Sequence, residues 1–347
     1  MIEIDASHGG QIYRLSLGLS ILLKEKVHIR SIRLDRPKPG LMAQHLTVLK
    51  TLSGMSNAIT ENSFLGSKEV FFEPKAFQPK KELIDIGTAG SITLLLQSLL
   101  LPSIFSKQDI SLKIKGGTNV SWSPPAEAFI EALFPLFKKM NAECSLEIIR
   151  RGYYPKGQGL IEFNSKPCNG LKAVNLLEKG SLKKIKIYSN SASLPEHVAL
   201  EQFNSAKNYL IEKGIKEELI EKIIEQNANP LSIGSSISCF ALHEHSVLEG
   251  NALGSRGKPA KKVGLEAGEK LWNEMQSDAA VDIHLTDQLL PFMALAEGSS
   301  SILCPGISSH AKTSIEVLEK FLPVKFVIEE KKPNYLIKVN GIGFKVD

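Results

Sequence analysis

Leu83-Ile-Asp-Ile-Gly-Thr-Ala-Gly-Ser-Ile-Thr-Leu-Leu-Leu-Gln-Ser-Leu-Leu-Leu101 sets out a strand, a tight turn and a helix in succession. Leu83–Ile86 is a short apolar run of strand length, and Gly87-Thr-Ala-Gly90-Ser91 has the small residues of a turn. Ile92–Leu101 is apolar throughout except Gln97 and stops at Pro102, which makes it a buried helix too short to span a bilayer. Downstream, Ile110–Ile114 reads as a strand and Gly116-Gly117-Thr-Asn with Ser123-Pro124-Pro125 as loop. Phe129, Leu133, Leu136 and Phe137 then form a helical stripe, and Ser145–Ile149 and Leu160–Phe163 are extended.

Upstream, the same order is present. Ile2–Asp5 is a strand, a helix runs from about Gln11 to Leu23, and Val27–Ile32 is a second strand. A helix follows Gly40, and Ala58–Glu61 and Glu69–Glu73 bracket Ser63-Phe-Leu-Gly66 as a hairpin. A third pass comprises Ala173–Leu176, a helix near Leu285–Ala296, a strand at Ser301–Cys304, a helix from about Ser309 to Phe321, and the extended pair Val324–Ile328 and Tyr335–Val339. Element order, and not residue identity, gives three repeats of roughly eighty residues or more. The alternation predicts an α/β fold of packed layers.

The third pass is interrupted. Ile185–Tyr188, charged helices at Pro195–Glu212 and Lys216–Gln226, extended Ile233–Leu242 and Ser246–Leu253, and a helix at Val263–Met275 read as a self-contained insertion. Asn229-Pro230 and Gly254–Lys262 are its most loop-like parts. The expected organisation is a large domain of residues 1–183 and 279–347, with a smaller α/β domain at 184–278.

At 347 residues and 43% hydrophobic, the chain can bury a sizeable core. A net charge of +5 permits a polyanionic ligand without implying a histone-like coat. The four cysteines form no C-x-x-C pair, which fits a reduced compartment better than a disulfide framework or a zinc site. Met1–Asp5 lacks the flank and apolar run of a signal peptide, so the expected location is the cytoplasm, with no membrane partner.

Arg36-Pro-Lys-Pro-Gly-Leu-Met-Ala-Gln-His45-Leu is suited to an anion. Pro37 and Pro39 stiffen the lead-in, Gly40 breaks it, and the helical spacing that follows would set Arg36 and Lys38 at a helix N-terminus. A Pro-rich surface turn with solvated charges accounts for the segment equally well. His310 opens an amphipathic helix, where the positive helix end favours the neutral imidazole that a nucleophile requires. Taken alone, a histidine at a helix start is more often a cap-region residue than a nucleophile. Gln97 needs a partner inside its apolar face, either backbone or the edge of a base or phosphate. Asp287-Gln288 is either a cap or a ligand contact, and Gly9-Gly10-Gln11 is a tight turn suited to close phosphate approach. The chain has neither G-x-x-x-x-G-K-[ST] nor G-x-G-x-x-G, which excludes a P-loop or a Rossmann fingerprint.

Taken together, Gly9-Gly10-Gln11, Arg36-Pro-Lys-Pro-Gly-Leu with Gln44-His45-Leu46, Gly87-Thr-Ala-Gly-Ser91 with Gln97, Gly116-Gly-Thr118 with Ser123-Pro-Pro125, Arg151-Gly-Tyr-Tyr-Pro-Lys-Gly-Gln-Gly159, Asp287-Gln288 and His310 resemble the RNA 3'-terminal phosphate cyclase family. The likeness runs from Asp5 to Val339. It implies three βαβαββ-type repeats, a unit shared with enolpyruvyl transferases, and an inserted small domain. It also implies an ATP-dependent ligase of RNA processing. An adenylylated histidine, here His310, would pass AMP to an RNA 3'-phosphate end, which closes to a 2',3'-cyclic phosphate. By the same resemblance ATP would be bound by Gln97, His284, Leu285, Thr286, Asp287 and Gln288, with a divalent metal (Mg or Mn) whose ligands are unassigned. RNA phosphate would meet Arg14, Arg36, Lys38 and Gln44.

Two positions depart from the family pattern. The acid-containing glycine loop is shortened here to Ala6-Ser7-His8-Gly9-Gly10, leaving Ser7 and His8 as the nearest replacements for the missing glutamate. His284 stands where an aromatic residue would stack on adenine. The alternative expectation is a non-catalytic, cyclase-like RNA or ribosome-assembly binding protein; such relatives lack the histidine that is present here at 310.

Overall fold

The computed structural model describes residues 1–79, 83–227 and 231–346. The first unit runs β1 (Ile2–Asp5), α1 (Gly10–Leu23), β2 (Val27–Arg30), α2 (Ala43–Ser56), β3 (Ile59–Glu61) and β4 (Val70–Glu73). β1 lies parallel to β2, β2 antiparallel to β4, and β4 antiparallel to β3. Parallel neighbours cannot be joined by a tight turn, so α1 serves as the crossover between β1 and β2.

The second unit comprises β5 (Leu83–Asp85), α3 (Ile92–Ile104), β6 (Ile110–Gly116), α4 (Ala126–Ala128), a π-helical turn at Phe129–Leu133, α5 (Phe134–Lys139), β7 (Cys144–Arg150) and β8 (Gly159–Ser165). Its sheet order, β5-β6-β8-β7, and its strand senses match those of the first. β9 (Asn175–Leu176) opens the third unit. Then comes an insertion made of β10 (Leu182–Ala192), α6 (His197–Glu212), β11 (Ile220–Asn227), β12 (Gly234–His243), β13 (Val247–Leu253) and α7 (Ala260–Gln276). The third unit resumes with α8 (Ile283–Leu295), β14 (Glu297–Cys304), α9 (Ser309–Phe321), β15 (Phe326–Lys331) and β16 (Asn334–Ile342). β9 is parallel to β14, β14 antiparallel to β16, and β16 antiparallel to β15. The fold is α/β.

Helix 216–226 is a correction. Glu217–Leu219 is a single 3-10 turn, and Ile220–Asn227 is strand β11, parallel to β10 with Ile223 opposite Tyr188. The charges at Glu221, Lys222 and Glu225 mimic a solvated helix face, but Ile220, Ile223 and Ile224 are β-branched. The open edge of β10 offers those residues a ladder that an isolated helix cannot match. Asn229-Pro230 lies outside the described residues.

Apolar burial divides in two. One continuous core joins the helices and sheets of the three units, including Leu17, Leu96, Phe137, Leu289 and Leu318. A second, containing Ile187, Phe203, Ile237, Leu248 and Leu271, lies wholly within the insertion. Among the described residues no helix is long and apolar enough to cross a membrane.

A buried polar network stitches the two cores. Arg151 and Glu127 are both buried and form an ion pair. Arg151 also reaches Glu225 of β11 at 2.9 Å, and Asn190 of β10 donates to Glu127 Oε1 at 2.8 Å. Asn119 donates to the other Glu127 oxygen at 3.0 Å. Removing one partner of such a pair leaves an uncompensated buried charge. Arg151→Met should therefore destabilise the protein by about 3–5 kcal/mol, read as a lower denaturant midpoint; a midpoint unchanged from wild type would remove this network from the account of stability.

Candidate active site

Helix α1 begins at Gly10 with Gly9 as its N-cap, and no side chain caps its first turn. A Cβ on Gly10 would collide with His45 Nε2 and stand 3.1 Å from Arg14 Nη1. Glycine here lets an imidazole and a guanidinium close over unsatisfied helix N–H groups. Met42 N donates to His45 Nδ1 at 3.3 Å, which puts the ring proton on Nε2, facing Gly10. Burial, then the charges of Arg14 and Arg33, pull the His45 pKa down to about 3, so the ring is neutral.

Arg14 is buried and lacks a carboxylate. Nη2 donates to Gln97 Oε1 on α3 at 3.5 Å, and Nε has no partner among the described residues. Burial alone lowers its pKa to about 10. A buried guanidinium balanced only by a neutral amide, at a helix N-terminus, is a seat for an anion.

Arg36 joins this seat from an unexpected side. Its Nη2 stands 3.3 Å from where a Gly9 Cβ would be, so it serves the start of α1 and not that of α2, which begins only at Ala43. Arg33 braces the loop by donating to the carbonyls of Lys38 at 2.7 Å and Gly40 at 2.9 Å. The Lys38 side chain is exposed and has no hydrogen-bond or ion-pair partner among the described residues. Gln44 flanks the Gly87–Gly90 turn, its Cβ 3.4 Å from where one on Gly90 would lie.

The other wall comes from α8 and α9. Asp282 caps α8, accepting from His284 N at 2.9 Å and Leu285 N at 2.8 Å. Leu285 is buried in the core and Thr286 Oγ1 bonds the carbonyl of Asp282, so neither side chain faces the cleft. His284 is exposed, and Gln288 Nε2 lies 3.4 Å from its carbonyl. Asp287 accepts from Ser308 Oγ at 2.6 Å, and its second oxygen lies 3.8 Å from His310 Nδ1. Ser308 in turn caps α9 by accepting from Ala311 N at 2.8 Å. Gln11 Nε2 donates to Ser314 Oγ at 2.7 Å, tying α1 to α9.

His310 therefore opens α9 half-exposed, with Nδ1 toward the carboxylate. Burial, then Arg14, Arg36 and His284, lowers its pKa. Burial pushes Asp287 up to about 7, against the Ser308 hydrogen bond, with Asp282 adding to the rise. Near neutrality the site therefore combines a neutral imidazole, a half-protonated acid and two arginines. No three His, Cys, Asp or Glu residues converge as a metal cage among the described residues. His45, Ser308 and the Gln11–Ser314 tie were not singled out as site residues from the sequence. His45 and Gln11 did lie within motifs that the sequence offered, Gln44-His45-Leu46 and Gly9-Gly10-Gln11.

A family model described as RNA 3'-terminal phosphate cyclase matches residues 6–328, a span that includes every site residue above. The chain belongs to the RNA 3'-terminal phosphate cyclase family. Relatives bearing that same description include one from Archaeoglobus fulgidus, 41% identical over 93% of this chain and 96% of its own length. One from Pyrobaculum neutrophilum is 38% identical over 99% of both chains. Another, from Methanosarcina barkeri, is 41% identical over 98% of this chain and all of its own.

A positive neighbour disfavours the imidazolium, so removing one must raise the histidine's pKa. An NMR titration of His310 in the wild-type protein should fall below the ordinary value of about 6.5, and Arg14→Gln should move it upward. A downward move would mean that the two side chains do not share this site.

Proposed function

We propose that the chain uses ATP to adenylylate His310 and spends that AMP on closing an RNA 3'-terminal phosphate to a 2',3'-cyclic phosphate. The observation that carries the reading is a half-exposed imidazole, biased toward its neutral form, beside a buried arginine that lacks a counter-ion. His310 Nε2 attacks the α-phosphorus of ATP; the bond to the β-phosphate oxygen breaks and pyrophosphate leaves. An RNA 3'-phosphate oxygen then displaces the histidine, giving an RNA–AMP anhydride. The neighbouring 2'-hydroxyl attacks the 3'-phosphorus, loses its proton and expels AMP. Splitting one hard displacement at a charged phosphate into easier ones is the purpose of a covalent intermediate.

In this reading Asp287 orients the ring through Nδ1, and its raised pKa lets it hold a proton that the reaction sheds. Arg14, Arg36 and the N-terminus of α1 neutralise phosphate oxygens. His284 offers an exposed ring for adenine, and Gln97 and Gln288 offer amides. A divalent ion would arrive on the triphosphate, since one nearby carboxylate suits a substrate-bound ion better than a protein cage. His8 is held by Asp35 at 2.7 Å on the surface, so the short loop is tied to the loop that follows β2. A non-catalytic RNA-binding role would need none of the His310–Asp287–Ser308 arrangement.

With α-labelled ATP and magnesium, the wild-type protein should acquire an acid-labile, alkali-stable label, and His310→Ala should acquire none; labelling of that variant would sink the mechanism. Arg36→Ala should reduce the slope of log affinity for RNA against log salt by about 0.7–0.9, one phosphate contact's worth. A slope unchanged in Arg36→Ala but reduced in Lys38→Ala would move the contact to Lys38.

A further inference from the structure

Away from His310, a cavity of about 390 Å³ separates the Asn119–Ser123 loop from strands β12 and β13 of the insertion. At its rim stands Trp122, 98% exposed and at φ 66°. Both features are unfavourable for folding. A bulky aromatic residue in the left-handed region is strained, and a fully exposed indole forgoes burial. The loop that holds it is nevertheless well anchored. Ser123 Oγ donates to the carbonyl of Val120 at 2.9 Å, Thr93 Oγ1 donates to that of Pro124 at 2.8 Å, and Asn119 is tied to Glu127.

The opposite wall is hydroxyl and amide. Ser236, Ser238 and Asn251 line it, and Ser238, 1% exposed, has an Oγ with no partner among the described residues. The flanking cations are already committed. Lys258 and Lys270 meet the two oxygens of Glu266 at 2.5 and 2.9 Å and also bond the carbonyls of Leu253 and Asn251. A phosphate would find little free charge here. A neutral, flat, hydrogen-bonding group would find a ring to stack on and polar atoms for its edge, which describes a nucleobase.

We infer that this cavity receives a base of the RNA strand upstream of its 3' end, stacked on Trp122 and read at its edge by Ser238 and Asn251. The inference rests on the RNA-cyclase reading for its ligand. Its location fits a strand whose end lies at Arg14: Thr93, which bonds Pro124, precedes Gln97 on α3 by one turn, about 6 Å of rise. Aromatic platforms of this kind hold single strands without fixing their sequence.

The chain has two tryptophans, and Trp272 packs against the insertion's own core, so Trp272→Phe leaves Trp122 as sole reporter. Titration of that variant with a 3'-phosphorylated hexaribonucleotide should quench Trp122. In the parent protein, Trp122→Ala should weaken hexamer binding about tenfold, Trp122→Phe should restore most of it, and a 3'-phosphorylated mononucleotide, which has no upstream base, should not distinguish the variants. Fluorescence anisotropy of labelled RNA gives the affinities, and His310 labelling by ATP is measured alongside. RNA that binds without quenching Trp122 overturns the inference, as does full quenching by ATP alone, which would make the cavity the ATP site. Quenching by RNA in a protein that takes no label would keep the subsite and overturn the cyclase mechanism instead.

Discussion

Helix α1 is wedged between α3 and α9, and most of what the molecule does follows from how close those helices come. A Cβ on Gly18 would stand 3.0 Å from the carbonyl of Ser98 on α3, tighter than ordinary van der Waals contact, so glycine sets that spacing. Eight residues earlier, Gly10 leaves the space that His45 and Arg14 occupy. The wedge carries Arg14 onto Gln97 and Gln11 onto Ser314, so side chains from all three units converge at one helix end. The same packing buries Arg14 without a carboxylate, and the positive character of the site follows from it.

Against that positive end stands a line of acids reaching in from the insertion. Glu249 of β13 and Asp282 at the start of α8 are both buried; burial, then the nearby Asp282, raises the pKa of Glu249, and burial raises that of Asp282 against the hydrogen bonds its cap accepts. Asp282 in turn helps to raise Asp287, which accepts from Ser308 and lies 3.8 Å from His310. Buried carboxyl groups thus run from β13 to the start of α8 and on to the acid beside the histidine. The β10–β13 core is attached separately, through the buried hydrogen bonds of Arg151 and Asn190 to Glu127.

The order of elements and the apolar runs were legible in the chain because each strand and helix writes its own period locally. Leu83–Leu101 is such a case: strand, turn and helix start lie where the residues predict, although α3 continues through Pro102 to Ile104. Residues 220–227 are the counter-example, since a charged, isoleucine-containing run suits either helix or edge strand, and only the free edge of β10 decides between them.

For the site, the sequence by itself determined the chemical types and their order: glycines before α1, arginines near 36, an amide at 97, an acid at 287 and a histidine at 310. Those are properties of residues and of short spacings, and the resemblance to the cyclase family rests on them. Tertiary structure alone decided which of these meet. It put Arg36 at the start of α1 and not of α2, left Lys38 in solvent, turned Leu285 and Thr286 away from the cleft, and brought in His45 and Ser308. The physical reason is distance along the chain. Arg14, Gln97, Asp287 and His310 lie on four different helices, and no local propensity reports how separate helices pack.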